Sequence, residues 1–138
     1  EITTIVLEGE LTHQDNMGNS GTLRNEDVQC ITTGTGIEHS EFNREGNPFV
    51  YIRSRFPRTE VIWSLHTLKR DSKLQTGKPI IPLASGQGFE DALKINADAA
   101  IYRTCLEKEH ILHFDLKEGR PVFIYISAGE LSVNGQKL

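Results

Sequence analysis

The chain has little cysteine, no long apolar run and no surplus of positive charge. Of its 138 residues two are cysteine, 15 are Lys or Arg and 19 are Asp or Glu, a formal net charge of −4. That balance excludes a nucleic-acid binder working through a basic face, because neutralising phosphates requires clustered Lys and Arg. No apolar stretch approaches the roughly 18 to 20 residues that cross a bilayer as a helix, so no membrane span is expected. No secretory leader is recognisable, and the chain opens at Glu1 inside what reads as a strand. Cys30 and Cys105 lie far apart and outside any CxxC pair. Such sparse cysteine suits a reducing compartment, so the expected location is the cytoplasm. Each cysteine sits in an apolar, strand-like run and is expected as a small buried hydrophobe rather than a nucleophile. There is no Gly-rich phosphate loop, no Gly-x-Ser-x-Gly and no Cys–His pair in a nucleophilic setting.

What is present is a globular composition, 37% hydrophobic and 25% charged. The length suits one domain of ordinary size, or one and a half small ones. The punctuation is all-β. Residues 2–12 are β-rich and alternate near period two, then run into Asp15-Asn16-Met17-Gly18-Asn19, a natural hairpin turn. Further short strands are expected at residues 21–24, 28–32, 37–43 and 49–52, separated by Gly- and Asn-containing turns. From residue 53 to 82 the pattern weakens. Pro57, Pro79 and Pro82 punctuate it, residues 69–73 read as a solvated connection, and Val61-Ile62-Trp63 is an isolated apolar island. Residues 83–88 look loop-like. Strands return at 100–105, 110–114 and 122–126, and Asn134-Gly135 is a strong hairpin signal. Gly9-Glu10-Leu11 and Gly129-Glu130-Leu131 echo each other, as two copies of one β unit or by chance. Short strands at regular spacing without a helical period predict a sandwich or small barrel.

The chemistry-bearing segment is Gly34-Thr35-Gly36-Ile37-Glu38-His39-Ser40-Glu41. His39 and Glu41 are two apart in an expected strand, so both side chains point to one face of the sheet. An imidazole and a carboxylate on one interior face make half of an octahedral or square-pyramidal site, suited to Fe(II), Ni, Mn or Cu rather than a thiolate zinc. Spacing alone leaves open a surface-facing pair with no ligand. Among the other histidines, His13 reads as structural or solvent-exposed and His66 has no nameable partner. His110 and His113 are three apart and would face opposite sides of a strand. Glu8 and Glu10 share a face and could line a barrel mouth or simply meet solvent.

Val6 to Gly21, with its Leu-Glu-Gly-Glu-Leu-Thr-His-Gln-Asp-Asn-Met-Gly-Asn core, then Asp27-Val28-Gln29, then Thr33 to Glu41, resembles the pirin family of the cupin superfamily. The likeness is close over residues 1 to about 52 and looser over 77–138. It implies an all-β, cupin-type barrel or sandwich arranged as an incomplete bicupin. Residues 1–52 would form most of the N-terminal barrel, 53–82 a linking segment, and 83–138 part of a C-terminal cupin. It further implies one divalent metal, Fe(II) in first place with Ni, Cu, Mn or Zn as alternatives. His39 and Glu41 would be two of its ligands, and the others a His-x-His falling a few residues before Glu1. Glu1 matches the glutamate that closes the first cupin motif. Asn25-Glu26 replaces the family's Pro-Gly, residues 49–63 match poorly, and the chain reads as trimmed at both ends.

Bacterial members of that family resemble flavonol (quercetin) 2,3-dioxygenases. This resemblance implies an oxygenase acting on a small aromatic, flavonol-like substrate, with Glu41 also taking the proton from the substrate hydroxyl. A different class of reading is a metal-dependent regulatory protein that binds a transcription factor or enzyme, and a third is an inactive piece lacking two ligands. Unpaired strand edges leave oligomerisation or strand exchange open.

Overall fold

The computed structural model describes residues 1–44, 46–57 and 80–138 in full and the strand His66–Asp71 as backbone. The described residues form strands joined by turns, with no helix. In chain order the strands are β1 (Ile2–Glu8), β2 (Glu10–Asp15), β3 (Ser20–Arg24), β4 (Asp27–Thr32), β5 (His39–Phe42), β6 (Val50–Arg55) and β7 (His66–Asp71). After these come β8 (Ile80–Ser85), β9 (Leu93–Lys94), β10 (Ala100–Thr104), β11 (Ser132–Val133) and β12 (Gln136–Lys137). They assemble into a four-stranded sheet in the order β6-β1-β4-β7, two three-stranded sheets, β3-β2-β5 and β10-β8-β9, and the hairpin β11-β12. Among the described residues no ladder closes a sheet into a ring.

The four-stranded sheet is a wall with a packed surface on each side. Successive side chains of a strand point to opposite faces. On β1, Ile5 joins Val28, Ile81 and Leu83, facing the β10-β8-β9 sheet. Its neighbour Val6 joins Leu11 and Leu23, facing the β3-β2-β5 sheet. The central strand β4 is buried along its whole length, as expected for a strand covered on both faces. Cys30 extends the first of these surfaces, packing with Ala84, Ile95 and Ala97. Each fully buried aliphatic side chain contributes about 1.5–3 kcal/mol, so the two interfaces hold the wall from both sides.

The Glu1 carboxylate ties the two halves of the chain together. It accepts hydrogen bonds from Asn96 N (2.8 Å), Asn96 Nδ2 (2.7 Å), Ala97 N (2.9 Å) and Thr32 Oγ1 (3.0 Å).

Several expectations are corrected. The stretch 2–12 is two strands rather than one, because Gly9 takes a φ of +73° and swings the chain into a different sheet. Glu8 and Glu10 therefore do not share a face of one strand. Glu10 instead lies 3.7 Å from the Arg24 guanidinium. Residues 83–85 are not loop but the end of the buried strand β8, whose Pro82 is accommodated at a register shift against β10. Residues 69–71 are not a free connection but the end of β7, paired with β4. The apolar island at 61–63 lies outside the described residues. The segments 110–114 and 122–126 carry strand-like sequence but pair with nothing among the described residues, and Phe123 is 89% exposed. β propensity becomes a strand only where a neighbour supplies the ladder. Cys30 is buried as expected, whereas Cys105 is exposed because β10 ends one residue before it. The Asn134-Gly135 hairpin is present, with φ of 48° and 83°, as a type I′ turn requires.

Candidate functional site

The pairing of β2 with β5 builds the site. Its register sets His13 opposite Glu41 and Asp15 opposite His39. Residues directly opposite in an antiparallel pair share a face, so these four side chains form a two-by-two block. Leu11 continues the same face of β2 and packs on Val6, which turns the block toward the four-stranded sheet. From that sheet Thr4 pairs with Gln29 on one side and Arg53 on the other. All three lie on the Val6 face, two residues along β1. The site is therefore the space between two sheets, with an apolar floor of Val6, Leu11 and Leu23.

Its polar groups differ in how fully they are paired. Asp15 is committed to the turn that follows it. Oδ1 accepts from Met17 N (3.0 Å) and Asn19 N (2.9 Å), and Oδ2 from Asn19 Nδ2 (2.9 Å). Burial works against its charge, but the bonds from Asn19, Met17 and His13 outweigh that and hold the carboxyl below the usual carboxylate range. His13 Nε2 lies 3.5 Å from Asp15 Oδ2, and its ring centroid sits 5.5 Å from that of His39. Glu41 is ion-paired through Oε2 to the Arg53 guanidinium, each side chain being 13% exposed. Among the described residues three buried side-chain polar atoms lack a partner: His13 Nδ1, Gln29 Oε1 and Glu41 Oε1. All three belong to residues on the facing sides of the two sheets. Buried polar groups are nearly always satisfied, so orphaned atoms on these facing sides stand out.

His39 and Glu41 thus share a face, as their spacing predicts, with His39 at the exposed rim and Glu41 deeper. Of the two readings of His13, structural or solvent-exposed, the second is excluded, for it is buried at 1% exposure beside the expected site. The signal available was His13-x-Asp15, which repeats the spacing of His39-x-Glu41 just before a turn. Arg53 gave no such signal. His110 and His113 are exposed. No group of three or more His, Cys, Asp or Glu among the described residues is arranged to hold a metal ion. With Asp15 committed, the uncommitted donors of the block are His39, Glu41 Oε1 and His13 Nδ1. A shallow groove of about 350 Å³ at Gly9, Glu10, Arg24 and Asn43, and another of about 480 Å³ by the β11-β12 hairpin, include none of them.

The profile of the family described as Pirin matches residues 1–53, and that described as Quercetinase C-terminal cupin domain matches residues 82–138. The chain belongs to the pirin family. A relative from Zymomonas mobilis, named provisionally as a quercetin 2,3-dioxygenase, is 34% identical over 138 residues, covering 96% of this chain and 57% of its own. Quercetin 2,3-dioxygenase of Escherichia coli is 31% identical over 139 residues, covering 99% of this chain and 59% of its own. The bacterial pirin YhhW of Escherichia coli, solved in complex with nickel(II), superposes with a TM-score of 0.70 at 28% identity, over 79% of this chain and 46% of that one. The chain thus spans a little under three-fifths of the length of these curated pirin relatives.

Proposed function

We propose that this chain carries His39 and Glu41 as part of the metal site of a pirin-like oxygenase of the quercetin 2,3-dioxygenase type, acting on a small aromatic, flavonol-like substrate. The observation that carries the reading is Glu41 Oε1, buried and unpaired on the face it shares with His39. A buried polar atom left without a partner costs about 1–3 kcal/mol, which a cation at that point would offset. The names of the relatives and the nickel(II) complex of the YhhW structure support the same reading.

The residues fit a divalent ion as part of a mixed nitrogen and oxygen donor set. His39 would hold it through a neutral imidazole and Glu41 through its carboxylate, a set suited to Fe(II), Ni, Mn or Cu. Bound there, a redox-active ion would supply open positions for substrate and dioxygen and relay an electron between them. The chain contributes the rest. The His13 ring against His39 limits its rotation, and Val6, Leu11 and Leu23 keep the floor dry.

Elemental analysis of the purified chain, followed by the flavonol assay, tests this. The expected result is near-stoichiometric metal lost in Glu41→Gln, together with dioxygen-dependent loss of flavonol absorbance. Background metal, or no absorbance loss from a protein carrying this chain within its full length, refutes it.

A further inference from the structure

We propose that Arg53 is the positioning residue of the site. Its guanidinium holds Glu41 Oε2, so that the carboxylate meets a divalent ion through Oε1 alone. The inference rests on the metal reading above and extends it to a residue outside the ligand pair.

Arg53 reaches Glu41 from β6, across the space between the sheets. Its guanidinium is fixed at three points. Nη2 donates to Glu41 Oε2, Nε donates to Thr4 Oγ1 at 3.2 Å, and the guanidinium carbon lies 4.9 Å from the centroid of the Tyr51 ring. Thr4 and Tyr51 belong to β1 and β6, which are paired with each other, so both anchors sit on the wall that carries Arg53. A planar fork held this way is directional and presents its N–H groups along fixed lines. Glu41 Oε2 is therefore occupied, whereas Oε1 is buried without a partner. For both oxygens to chelate an ion, the carboxylate would have to leave the guanidinium, stranding a largely covered cation at considerable cost. Donation through one oxygen keeps the ion pair and satisfies the orphan together. Partners that fix the orientation of a ligating side chain are a regular part of metal sites.

Removing the guanidinium has two opposed effects on affinity, since it releases the carboxylate and also removes a positive charge beside the ion. The mode of coordination separates them. The test is infrared difference spectroscopy, nickel(II)-loaded minus metal-free, on the wild-type chain, Arg53→Gln and Arg53→Lys. Glu41→Gln serves as the reference that isolates the Glu41 bands, and calorimetry establishes that nickel(II) binds. The expected wild-type spectrum shows the wide separation of carboxylate stretches typical of a single-oxygen ligand. That separation narrows in Arg53→Gln and is partly restored in Arg53→Lys, which keeps the charge without the fork. Chelation by both oxygens in the wild type, or an unchanged separation in both variants, overturns the proposal and leaves the metal reading standing. If Arg53→Gln does not fold, the wild type and Arg53→Lys still decide it. Failure of the wild type and both variants to bind nickel(II) removes the metal reading, and this inference with it.

Discussion

Glu1 offers the sharpest stability test, because its one carboxylate links residues almost the whole chain apart. Four donors converge on it, Asn96 N, Asn96 Nδ2, Ala97 N and Thr32 Oγ1, all within 3.0 Å. A hydrogen bond to a charged group contributes about 1.5–3 kcal/mol, and bonds sharing one acceptor are not additive. Glu1→Ala strands two backbone N–H groups beside the buried Ala97, and the expected cost is about 4 kcal/mol. Glu1→Gln keeps the shape and one good acceptor oxygen, so about half that loss is expected. With an m-value of about 2 kcal/mol/M, urea midpoints should fall by roughly 2 M and 1 M. If both variants melt within about 0.5 kcal/mol of the parent, surface-like behaviour would follow and the tie would be refuted.

Further outcomes follow from other parts of the fold. A Cβ at Gly86 would lie 2.0 Å from the Ala97 carbonyl oxygen, so Gly86→Ala must shift backbone, and a loss of about 3 kcal/mol is expected in the same urea assay. At pH 8 a thiol reagent should label exposed Cys105 and spare Cys30 until the chain unfolds, giving one modified cysteine per native chain by mass spectrometry. Burial pushes the Cys30 thiol from its ordinary 9.0 up to about 11, so the folded state keeps a proton that the unfolded state releases. Its contribution to stability is complete below pH 9 and declines by roughly 3 kcal/mol as pH rises toward 11, readable from alkaline thermal melts. The Asp15 carboxyl is held low, so its contribution is present above about pH 3.8 and lost as pH falls below it. Asp15→Ala should lower the melting temperature at pH 7 and flatten that acid limb, and an unchanged limb would contradict the assignment.

The parts of this molecule that show in its sequence are those governed by neighbours along the chain. Alternation and turn chemistry mark β3, β4 and β5, the two-residue spacing puts His39 and Glu41 on one face, and Asn134-Gly135 marks its hairpin. The parts that do not show depend on what packs where. β8 contains Pro82 and ends in Ala84-Ser85, and it becomes a strand because β10 and β9 pair with its two edges. Cys105 shares an apolar run with β10 but lies beyond the last paired residue. His13 reads as one more polar residue before a turn until β5 is laid beside it. Arg53 is silent for the same reason: its partner Glu41 lies on a strand of a different sheet.

The two-faced wall has a consequence for anyone reading a mutational scan across it. Along β1, parity assigns each position to one of two separate compartments. Thr4 and Val6 look toward the histidines and carboxylates, whereas Thr3 and Ile5 look toward Cys30, Ile81 and Leu83. A walk of truncations from Ile2 to Glu8 should therefore not grade smoothly from one end to the other. It should alternate, one residue disturbing the packing around His13 and Glu41 while its neighbour loosens the grip between the halves of the chain. The same two-beat rhythm should run through β4, with Gln29 and Ile31 on one beat and Val28 and Cys30 on the other.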